Sequence, residues 1–325
     1  MKTLVTGATG LVGSALTRQL VAHDADVRIF RRATSQLDLL GDVADRVEHA
    51  VGDVTAPDTV YRAMAGVDRV YQAAAVLGFG AGGRHAMLRR VNVGGTANVV
   101  NAALDAGVRR LVHTSSMAAF GRPDDTSRIL DETSDWRAAT DPSAYARSKY
   151  DAELEIHRGI AEGLDAVIVN PALVFGVGRE GENTRQIVDA VRSGWMPGVP
   201  PGGTSVVDVL DVAEGHRRAM AHGATGERYF LGSENRSWRQ IVDAFAAAFN
   251  VGPPRRELPA WLLRGTAAAA EAWATLTRTA PALTRDAAEA ACRFHRYDNT
   301  KARTELGCTF RPFIKTAQRI AQSVR

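Results

Sequence analysis

The sequence predicts an α/β fold, with a doubly wound parallel sheet in its N-terminal half and a smaller, mostly helical C-terminal region. The chain has 325 residues, 45% hydrophobic and 23% charged, which is enough apolar material for a large core. Its N-terminal half alternates short β-branched segments with longer helical patterns, as βαβ units do. Two of these segments, 111–112 and 167–169, are continuously apolar, as expected of strands covered on both faces.

The individual elements follow from the same alternation. Strands are predicted at 2–6, 26–30, 46–51, 69–74, 109–114, 166–170 and 204–209, and helices near 11–22, 57–65, 84–106 and 143–162. After Phe175 the alternation loosens, and residues 194–203 form a cluster of turn formers. We therefore predict a dinucleotide-binding domain over 1–176, to which 204–222 returns, and a mainly substrate-binding region over 177–325.

Composition and charge exclude several classes of protein. The net charge is only +4, and the arginines occur as scattered pairs rather than one basic block, so nucleic-acid binding is not expected. No uncharged stretch is long enough to cross a bilayer, and the first residues do not resemble a secretory signal, which predicts a cytoplasmic protein without a membrane partner. Cys292 and Cys308 lie far from any metal-ligand pattern, so no metal site is expected.

A glycine-rich turn follows the first predicted strand. Its residues are Gly7, Ala8, Thr9, Gly10, Leu11, Val12 and Gly13. Glycines allow a tight turn and a close approach to a pyrophosphate, and the N-terminus of the following helix attracts the phosphates. The spacing is GxxGxxG, and the alternative is an ordinary structural turn. Because the turn joins the first strand to a helix, we favour a dinucleotide site of the Rossmann type.

The second predicted strand ends at Arg31 and Arg32, where an NAD site would place an acidic residue. Guanidinium groups there can bind the 2′-phosphate of NADP(H) in a bidentate, charge-assisted way. NADP is therefore the favoured cofactor, and a pair of solvated surface arginines is the alternative. Asp53, after the third strand, is placed either to contact the adenine amino group or to form an Asx turn.

Tyr145 and Lys149 are four residues apart on a helix that residues 141–143 can start, with Ser143 as its cap. A nearby cation lowers the pKa of a phenol, which suits proton donation to a carbonyl that receives hydride. Tyr297 and Lys301 have the same spacing, but they lie near the C-terminus, whereas Tyr145 follows the fifth strand. We therefore assign the acid to Tyr145.

Two serines end the fifth predicted strand. A hydroxyl from Ser115 or Ser116 can hydrogen-bond the substrate oxygen as negative charge develops on it. A serine hydrolase is not supported, because the chain has no GxSxG elbow and its eight histidines are scattered.

These motifs occur together in one order along the chain. They are TGATGLVG at the N-terminus, GDVT at 52–55, the alanines at 73–75, NVGGT at 92–96, TSS at 114–116, YxxxK at 145–149 and NPALVFG at 170–176. Together they resemble the extended short-chain dehydrogenase/reductases of the NAD-dependent epimerase/dehydratase kind, in their dihydroflavonol-reductase-like branch. The resemblance covers nearly the whole chain.

The resemblance implies a role for several residues. Tyr145 would be the acid, Lys149 would lower its pKa and hold the nicotinamide ribose, and Ser116 would polarise the carbonyl, with Ser115 as the second choice. Arg32 matches the arginine of NADP-dependent members. The resemblance also implies a homodimer and cofactor contacts at Val54, Ala73, Ala74, Ala75, Pro171 and Val174.

The sequence also departs from parts of the family pattern. Met117 and Ala118 occupy the positions where nucleotide-sugar dehydratases carry Asp-Glu, so dehydration is disfavoured, and Gln72 replaces a frequent histidine. The expected activity is NADP(H)-dependent interconversion of a carbonyl and an alcohol in a fairly apolar small molecule. Two alternatives remain: a nucleotide-sugar epimerase with retained NAD, and a non-catalytic NADP-sensing protein.

Overall fold

The computed structural model describes residues 1–77, 84–136, 143–181, 183–277, 279 and 283–324. The strands of this part of the chain are β1 (Lys2–Thr6), β2 (Asp26–Arg31), β3 (Glu48–Val51), β4 (Arg69–Gln72), β5 (Arg110–Thr114), β6 (Ile129–Leu130), β7 (Ala166–Pro171), β8 (Leu173–Phe175), β9 (Gly203–Asp208), β10 (Arg228–Leu231), β11 (Glu234–Ser237) and β12 (Arg296–Tyr297). The helices are α1 (Leu11–Ala22), α2 (Pro57–Met64), α3 (Arg84–Leu88), α4 (Gly95–Asp105), α5 (Ala144–Ala161), α6 (Asn183–Arg192), α7 (Val209–His222), α8 (Trp238–Phe249), α9 (Ala260–Thr277), α10 (Arg285–Cys292), α11 (Thr300–Glu305) and α12 (Phe313–Ser323).

Among the described residues, a seven-stranded parallel sheet forms the centre of the fold. Its strand order is β10-β7-β5-β4-β1-β2-β3, and Val5 of β1 pairs with Ile29 of β2 on one side and Tyr71 of β4 on the other. The chain builds outward from β1 to β3 and then returns to place β4 on the other side of β1. This reversal creates a crevice at the carboxyl ends of β1 and β4, where doubly wound folds bind their ligands.

Helices cover both faces of this sheet. Helices α1 and α7 pack together on one face, where Leu16 and Val212 belong to the same buried cluster. Helices α2, α4 and α5 cover the other face, with Val60, Val99 and Ile156 in a second buried cluster. The strands are apolar on both sides because both sides are covered, and the predicted doubly wound fold is confirmed.

The C-terminal part forms a separate apolar cluster. Strands β8, β9 and β11 make a three-stranded sheet, and helices α6, α8 and α12 pack around Phe175, Phe245 and Phe313. Strand β12 pairs with β6, which connects the C-terminal part to the segment after β5. Helix α9 leaves Trp261 and Trp273 exposed.

Most predicted elements occur where the sequence placed them, with shifts of one or two residues at several ends. Strand β10 of the large sheet was not predicted, because Arg228–Leu231 is only four residues long, although it contains the strand-favouring Tyr229 and Phe230. The segment 204–222 contributes β9 to the small sheet and α7 to the face of the large one. The division at residue 176 stays a prediction. Within the described residues, no helix is both long and apolar enough to span a bilayer.

Candidate active site

The glycine-rich turn lies in the crevice between β1 and β4. Gly7 has a φ of +67°, and a Cβ there would lie 2.6 Å from the backbone of Ala73 and Ala74. A Cβ on Gly13 would lie 2.2 Å from the carbonyl oxygen of Gly7. Glycine is therefore required at both positions. Gly10 is the N-terminal cap of α1, and the N–H groups of Leu11 and Val12 that follow it have no partners within the helix and face the crevice. These features suit a bound pyrophosphate.

The loop after β4 forms the opposite wall of this crevice. The Thr6 hydroxyl accepts hydrogen bonds from the backbone N–H groups of Ala73 and Ala74, both at 3.2 Å. Gln72, which replaces the frequent histidine of the family pattern, is buried and donates to the carbonyl oxygen of Ala74. Asn92, in a π-helical turn at 89–94, binds the backbone of Val76 through both of its amide atoms. The backbone beside the glycine turn, including Ala75, is thus fixed from both sides.

The two arginines after β2 have different surroundings. Arg31 donates from Nε to His49 Nδ1 at 2.9 Å and from Nη1 to the carbonyl oxygen of Arg32 at 3.2 Å. Arg32 is exposed, and its charge helps to lower the pKa of Asp53. Arg31 is therefore partly engaged, whereas Arg32 projects into solvent beside Asp53.

Asp53 forms an Asx turn, with Oδ1 accepting from the backbone N–H and the hydroxyl of Thr55, each at 2.8 Å. The hydrogen bond from the Thr55 backbone is the main cause that lowers the pKa of Asp53. The turn holds the segment that carries buried Val54, whose methyl group lies against Gly95. The adenine contact of Asp53 stays a prediction.

An arginine that the sequence did not single out spans the mouth of the crevice. Arg179 donates to both carboxylate oxygens of Asp38 and to the carbonyl oxygen of Thr9 in the glycine turn at 3.0 Å. It also reaches the carbonyl oxygen of Gln36. Arg179 therefore connects the segment after β8 to the glycine turn and to the loop that follows β2.

Tyr145 lies in the first turn of α5, which Ser143 caps by accepting from the Ala146 N–H at 3.2 Å, as predicted. The other two residues proposed to start this helix, 141 and 142, lie outside the described residues. The Ser116 hydroxyl is close enough to hydrogen-bond the Tyr145 phenol. Ser116 also caps the 3-10 turn at 117–120, and this cap holds the hydroxyl at the end of β5.

Burial shifts the pKa of the Tyr145 phenol in one direction, and two neighbouring groups shift it in the other. Burial raises the pKa of Tyr145, while the Ser116 hydroxyl and the Arg122 guanidinium lower it. The sequence attributed this lowering to Lys149. In the structure, the Lys149 ammonium donates to the carbonyl oxygen of Thr114 at 2.8 Å, so the long side chain ends at β5 and the nearby cation that lowers the Tyr145 pKa is Arg122.

Lys149 is 3% exposed, and burial lowers its pKa to about 8, with the Glu153 carboxylate acting in the opposite direction. Glu153 is also buried, which raises its pKa, and it accepts from Asn170 Nδ2 at 2.7 Å and from Arg228 at 3.4 Å. Ser115 faces this carboxyl group. The structure therefore brings Ser116 to Tyr145 and directs Ser115 toward Glu153.

Two buried histidines lie behind the lysine. Burial lowers the pKa of His216 to about 4, and its ring accepts from the Thr114 hydroxyl at 2.7 Å. Burial, aided by Lys149 and His216, holds the pKa of His113 well below its usual value. Both rings are therefore neutral near pH 7 and add no charge behind Lys149.

The remaining predicted cofactor residues lie at the ends of β7 and β8. Pro171 ends β7 and pairs with Leu231. The carbonyl oxygen of Val174 in β8 accepts from the Thr184 hydroxyl at 2.9 Å. Just beyond it, Gly176 approaches Leu11 of the glycine turn, where a Cβ would lie 3.0 Å from the Leu11 side chain. Pro171 and Val174 therefore adjoin the crevice, and their cofactor contacts stay predictions.

Tyr297 and Lys301, the second pair with this spacing, contact different groups, although Tyr297 lies near Tyr145. Lys301 pairs with Glu227 and lies over the Tyr229 ring. The Tyr297 hydroxyl accepts from Arg122 Nε at 3.3 Å. A position near the C-terminus thus did not mean a position far from Tyr145, because the β12–β6 pairing returns this segment to the end of β5.

Sequence reasoning missed Arg122, Glu153 and Arg179. The position of Glu153 could have been predicted, because it follows Lys149 by four residues, and residues four apart are neighbours on one face of a helix. Arg122 and Arg179 carried no local pattern, and their roles depend on segments distant in sequence.

Comparison with known proteins gives a consistent result. The model of the NAD dependent epimerase/dehydratase family matches residues 3–232. A Synechocystis sp. protein named as a dihydroflavonol 4-reductase is 33% identical over 308 residues, covering 93% of this chain and 88% of that protein. The 2-alkyl-3-oxoalkanoate reductase of Stenotrophomonas maltophilia is 31% identical and covers 94% of each chain. The crystal structure of gox2253 is similar with a TM-score of 0.84 and 34% identity, over 97% of this chain and 95% of that one.

Proposed function

The chain belongs to the NAD dependent epimerase/dehydratase family, and from this membership we propose that it is an NADP(H)-dependent oxidoreductase that interconverts a carbonyl and an alcohol in a fairly apolar small molecule. The observation that carries this proposal is the meeting of the Tyr145 phenol with the Ser116 hydroxyl at the carboxyl end of β5. Relatives of the chain that are named as reductases support the same reaction class. The tight turn at Gly7 and Gly13 suits the dinucleotide, since a Cβ at either position would collide with backbone atoms and displace the turn that approaches the pyrophosphate.

The cofactor, when bound, supplies or accepts the hydride. Tyr145 donates its phenolic proton to the substrate oxygen as negative charge develops there, and Ser116 donates a hydrogen bond to the same oxygen. In the reverse direction the phenolate accepts the proton of the alcohol. Both hydroxyls are held before reaction, Ser116 by its cap and Tyr145 by the first turn of α5.

Lys149 contributes as a positioning group. One of its three N–H bonds is used by the carbonyl oxygen of Thr114, which leaves donors for the hydroxyls of the nicotinamide ribose. Glu153, one helical turn after Lys149, raises the pKa of the lysine against the effect of burial, and Asn170 holds the Glu153 carboxylate at 2.7 Å.

Specificity for NADP(H) is assigned to Arg32, with Arg31 as the second cation. Arg32 is exposed beside the end of β2 and can turn toward a 2′-phosphate, whereas Arg31 must first leave His49. No acidic residue occupies the position after β2 that would bind the ribose diol of NAD.

The proposal is tested by following nicotinamide absorbance with a panel of ketones, aldehydes and alcohols and both cofactors. Tyr145→Phe should lower kcat by about 10² to 10⁴-fold and leave NADPH binding nearly unchanged, because only the proton donor is lost. A Tyr145→Phe enzyme with near-normal kcat would contradict the assignment. Purified protein that carries tightly bound NAD and turns over only nucleotide sugars would instead indicate an epimerase.

A further inference from the structure

Arg179 connects separate segments of the chain at the mouth of the crevice. Its Nη2 donates to the carbonyl oxygen of Thr9 in the glycine turn at 3.0 Å and to that of Gln36 at 3.1 Å. Its Nε and Nη2 donate to the carboxylate of Asp38 at 2.6 to 3.0 Å. One planar side chain therefore ties the glycine turn to the loop after β2 (residues 32–38), and we call this connection the Arg179 strap.

Both ends of the strap are held by the rest of the fold. The segment that carries it lies against the first turn of α1, where a Cβ on Gly178 would lie 3.7 Å from the Leu11 side chain. Arg185 of α6 donates to the carbonyl oxygen of Gly178 at 3.4 Å. At the other end, Leu40 follows the loop and is fully buried in the same apolar cluster as the core-facing side of α1. The strap therefore joins two anchored pieces of backbone.

These two pieces of backbone border the adenosine half of a dinucleotide site. In doubly wound folds the pyrophosphate binds at the turn after the first strand, and the adenosine ribose binds near the end of the second. Thr9 belongs to the first of these places, and Arg32, the residue assigned to the 2′-phosphate, begins the loop that contains Gln36 and Asp38. The family match supports a nicotinamide dinucleotide in this crevice. The strap thus connects the two parts of the site that such a cofactor contacts together.

The strap is strong enough to form and exposed enough to open. The guanidinium and the carboxylate make a bidentate, charge-assisted pair, and the hydrogen bond from Arg179 lowers the pKa of Asp38, so the carboxylate stays ionised near pH 7. The Asp38 side chain is 54% exposed, however, and water weakens an ion pair that it reaches. The pair therefore opens readily in the free protein. A phosphate group beside Thr9 adds negative charge next to the guanidinium and favours the closed arrangement.

We propose that Arg179 is a positioning residue for the cofactor, because the strap must open before a dinucleotide bound at the glycine turn and at the loop after β2 can leave. Opening of the strap therefore controls the rate of release. The inference rests on the proposed function in one respect, the binding of a nicotinamide dinucleotide in this crevice. It does not depend on the substrate or on the choice between NADP and NAD, since the pyrophosphate is common to both.

Replacement of Asp38 gives a test in which the strap and simple charge attraction predict opposite results. Asp38→Asn removes a negative charge near an anionic cofactor, so Coulomb attraction alone would make binding tighter and release slower. If the strap controls release, the same change weakens the hold on Arg179 and makes release faster. Arg179→Gln should also accelerate release, and Arg179→Lys should do so nearly as much, because a single ammonium cannot replace the planar fork that bridges these acceptors.

The measurement is stopped-flow release of cofactor from the whole chain. The protein is loaded with NADPH or NADH and mixed with a large excess of the oxidised cofactor, and the loss of bound nicotinamide fluorescence gives the dissociation rate without turnover. Asp38→Asn and Arg179→Gln should each release both cofactors about 3 to 30-fold faster, a range set by charge-assisted hydrogen bonds that are partly exposed. The dissociation constants should rise by similar factors, since changes of this kind act mainly on release.

Arg110 and Asp165 provide a matched control pair. They form an ion pair at 2.8 Å with exposed fractions of 22% and 35%, but Arg110 begins β5 and so lies at the opposite end of the sheet from the crevice. Arg110→Gln and Asp165→Asn change the same charges as the test variants, and both should leave cofactor release unchanged. The double variant of Asp38 and Arg179 adds an internal control: its effect should be no larger than that of either single variant, because both changes remove the same strap.

The other outcomes each contradict a stated part of the reasoning. Release that is unchanged or slower in Asp38→Asn or Arg179→Gln, or full additivity in the double variant, means that no strap controls it. Wild-type release in Arg179→Lys would overturn the inference, since charge alone would then be sufficient. Faster release of NADPH but not of NADH would also overturn it, because Arg179 would then act on the 2′-phosphate, and equal acceleration in the control pair would assign the effect to surface charge. If the wild type binds neither cofactor, the proposed function itself fails.

Discussion

Replacing Gly7 with alanine should destabilise the protein more than the same replacement at a glycine that has a similar φ but no atoms near its Cβ position. Two independent penalties act at Gly7. Its φ of +67° is a left-handed conformation that costs an alanine about 1–2 kcal/mol. The new Cβ would also lie 2.6 Å from the backbone of Ala73 and Ala74, where ordinary contacts are 3.4–4 Å. Overpacking of this kind costs about 1–3 kcal/mol.

Gly107 provides the matched control. Its φ is +63°, nearly that of Gly7, but nothing lies within 4 Å of its Cβ position. Gly107→Ala should therefore lower the free energy of unfolding by only about 1–2 kcal/mol, against about 2–5 kcal/mol for Gly7→Ala. Gly13→Ala isolates the steric penalty, because Gly13 lies within α1 and its Cβ would meet the Gly7 carbonyl oxygen at 2.2 Å.

Urea unfolding of the three variants measures these differences, and NADPH titration measures the second consequence. Relief of the clash at Gly7 must move the Ala73–Ala74 backbone, which forms the far wall of the crevice, so Gly7→Ala should also weaken cofactor binding. Gly107→Ala should leave binding unchanged. The reasoning is refuted if Gly7→Ala and Gly107→Ala lose equal stability, or if Gly7→Ala binds NADPH as tightly as the wild type.

Three further predictions concern the site. Ser116→Ala should reduce kcat by about 10² to 10³-fold and Ser115→Ala much less, because Ser116 is the hydroxyl beside the phenol; steady-state kinetics that reverse this order would move the role to Ser115. Arg32→Ala should weaken NADPH binding by about 10 to 150-fold and barely change NADH, and Arg31→Ala should have a smaller effect because His49 already holds Arg31; equal losses for both cofactors in either variant would contradict the NADP assignment. Since burial lowers the pKa of Lys149 from 10.5 to about 8, the folded state disfavours the charged ammonium, and this penalty is fully present below about pH 8 and disappears as pH rises through 10.5. The free energy of unfolding of Lys149→Met, minus that of the wild type, should therefore be up to about 3 kcal/mol more favourable at pH 7 than at pH 10.5. If this difference does not change with pH, Lys149 is not a buried charge.

Local patterns were sufficient for the first βα unit and for α5. Strand β1, the glycine turn and α1 follow from residues adjacent in sequence, and the Ser143 cap needed only the start of the helix. Membership of the extended short-chain dehydrogenase/reductases, predicted from the order of the motifs, is confirmed by the family match.

The features that were missed depend on contacts across the chain. Arg228–Leu231 contains two strand-favouring aromatic residues but is short, and its place beside β7 depends on the open edge of that strand, which a local pattern cannot show. Lys149 turned to the Thr114 carbonyl because β5 ends within its reach. Arg122 acquired its place from Tyr297, 175 residues later in the chain. Spacing can identify which side chains share a helix face, but it cannot identify the partner that tertiary packing brings to them.

The late arrival of β10 has a consequence for synthesis on the ribosome. The sheet edge at β7 is completed only by residues 228–231, and the face that α1 begins to cover is completed only by α7. After β7 has left the ribosome, its hydrophobic edge must therefore stay unpaired while more than fifty further residues are translated. Unpaired edges of this kind promote association between chains. We expect fragments that stop between β7 and β10 to aggregate, and slow translation of this interval to increase the need for chaperones that shield open strands.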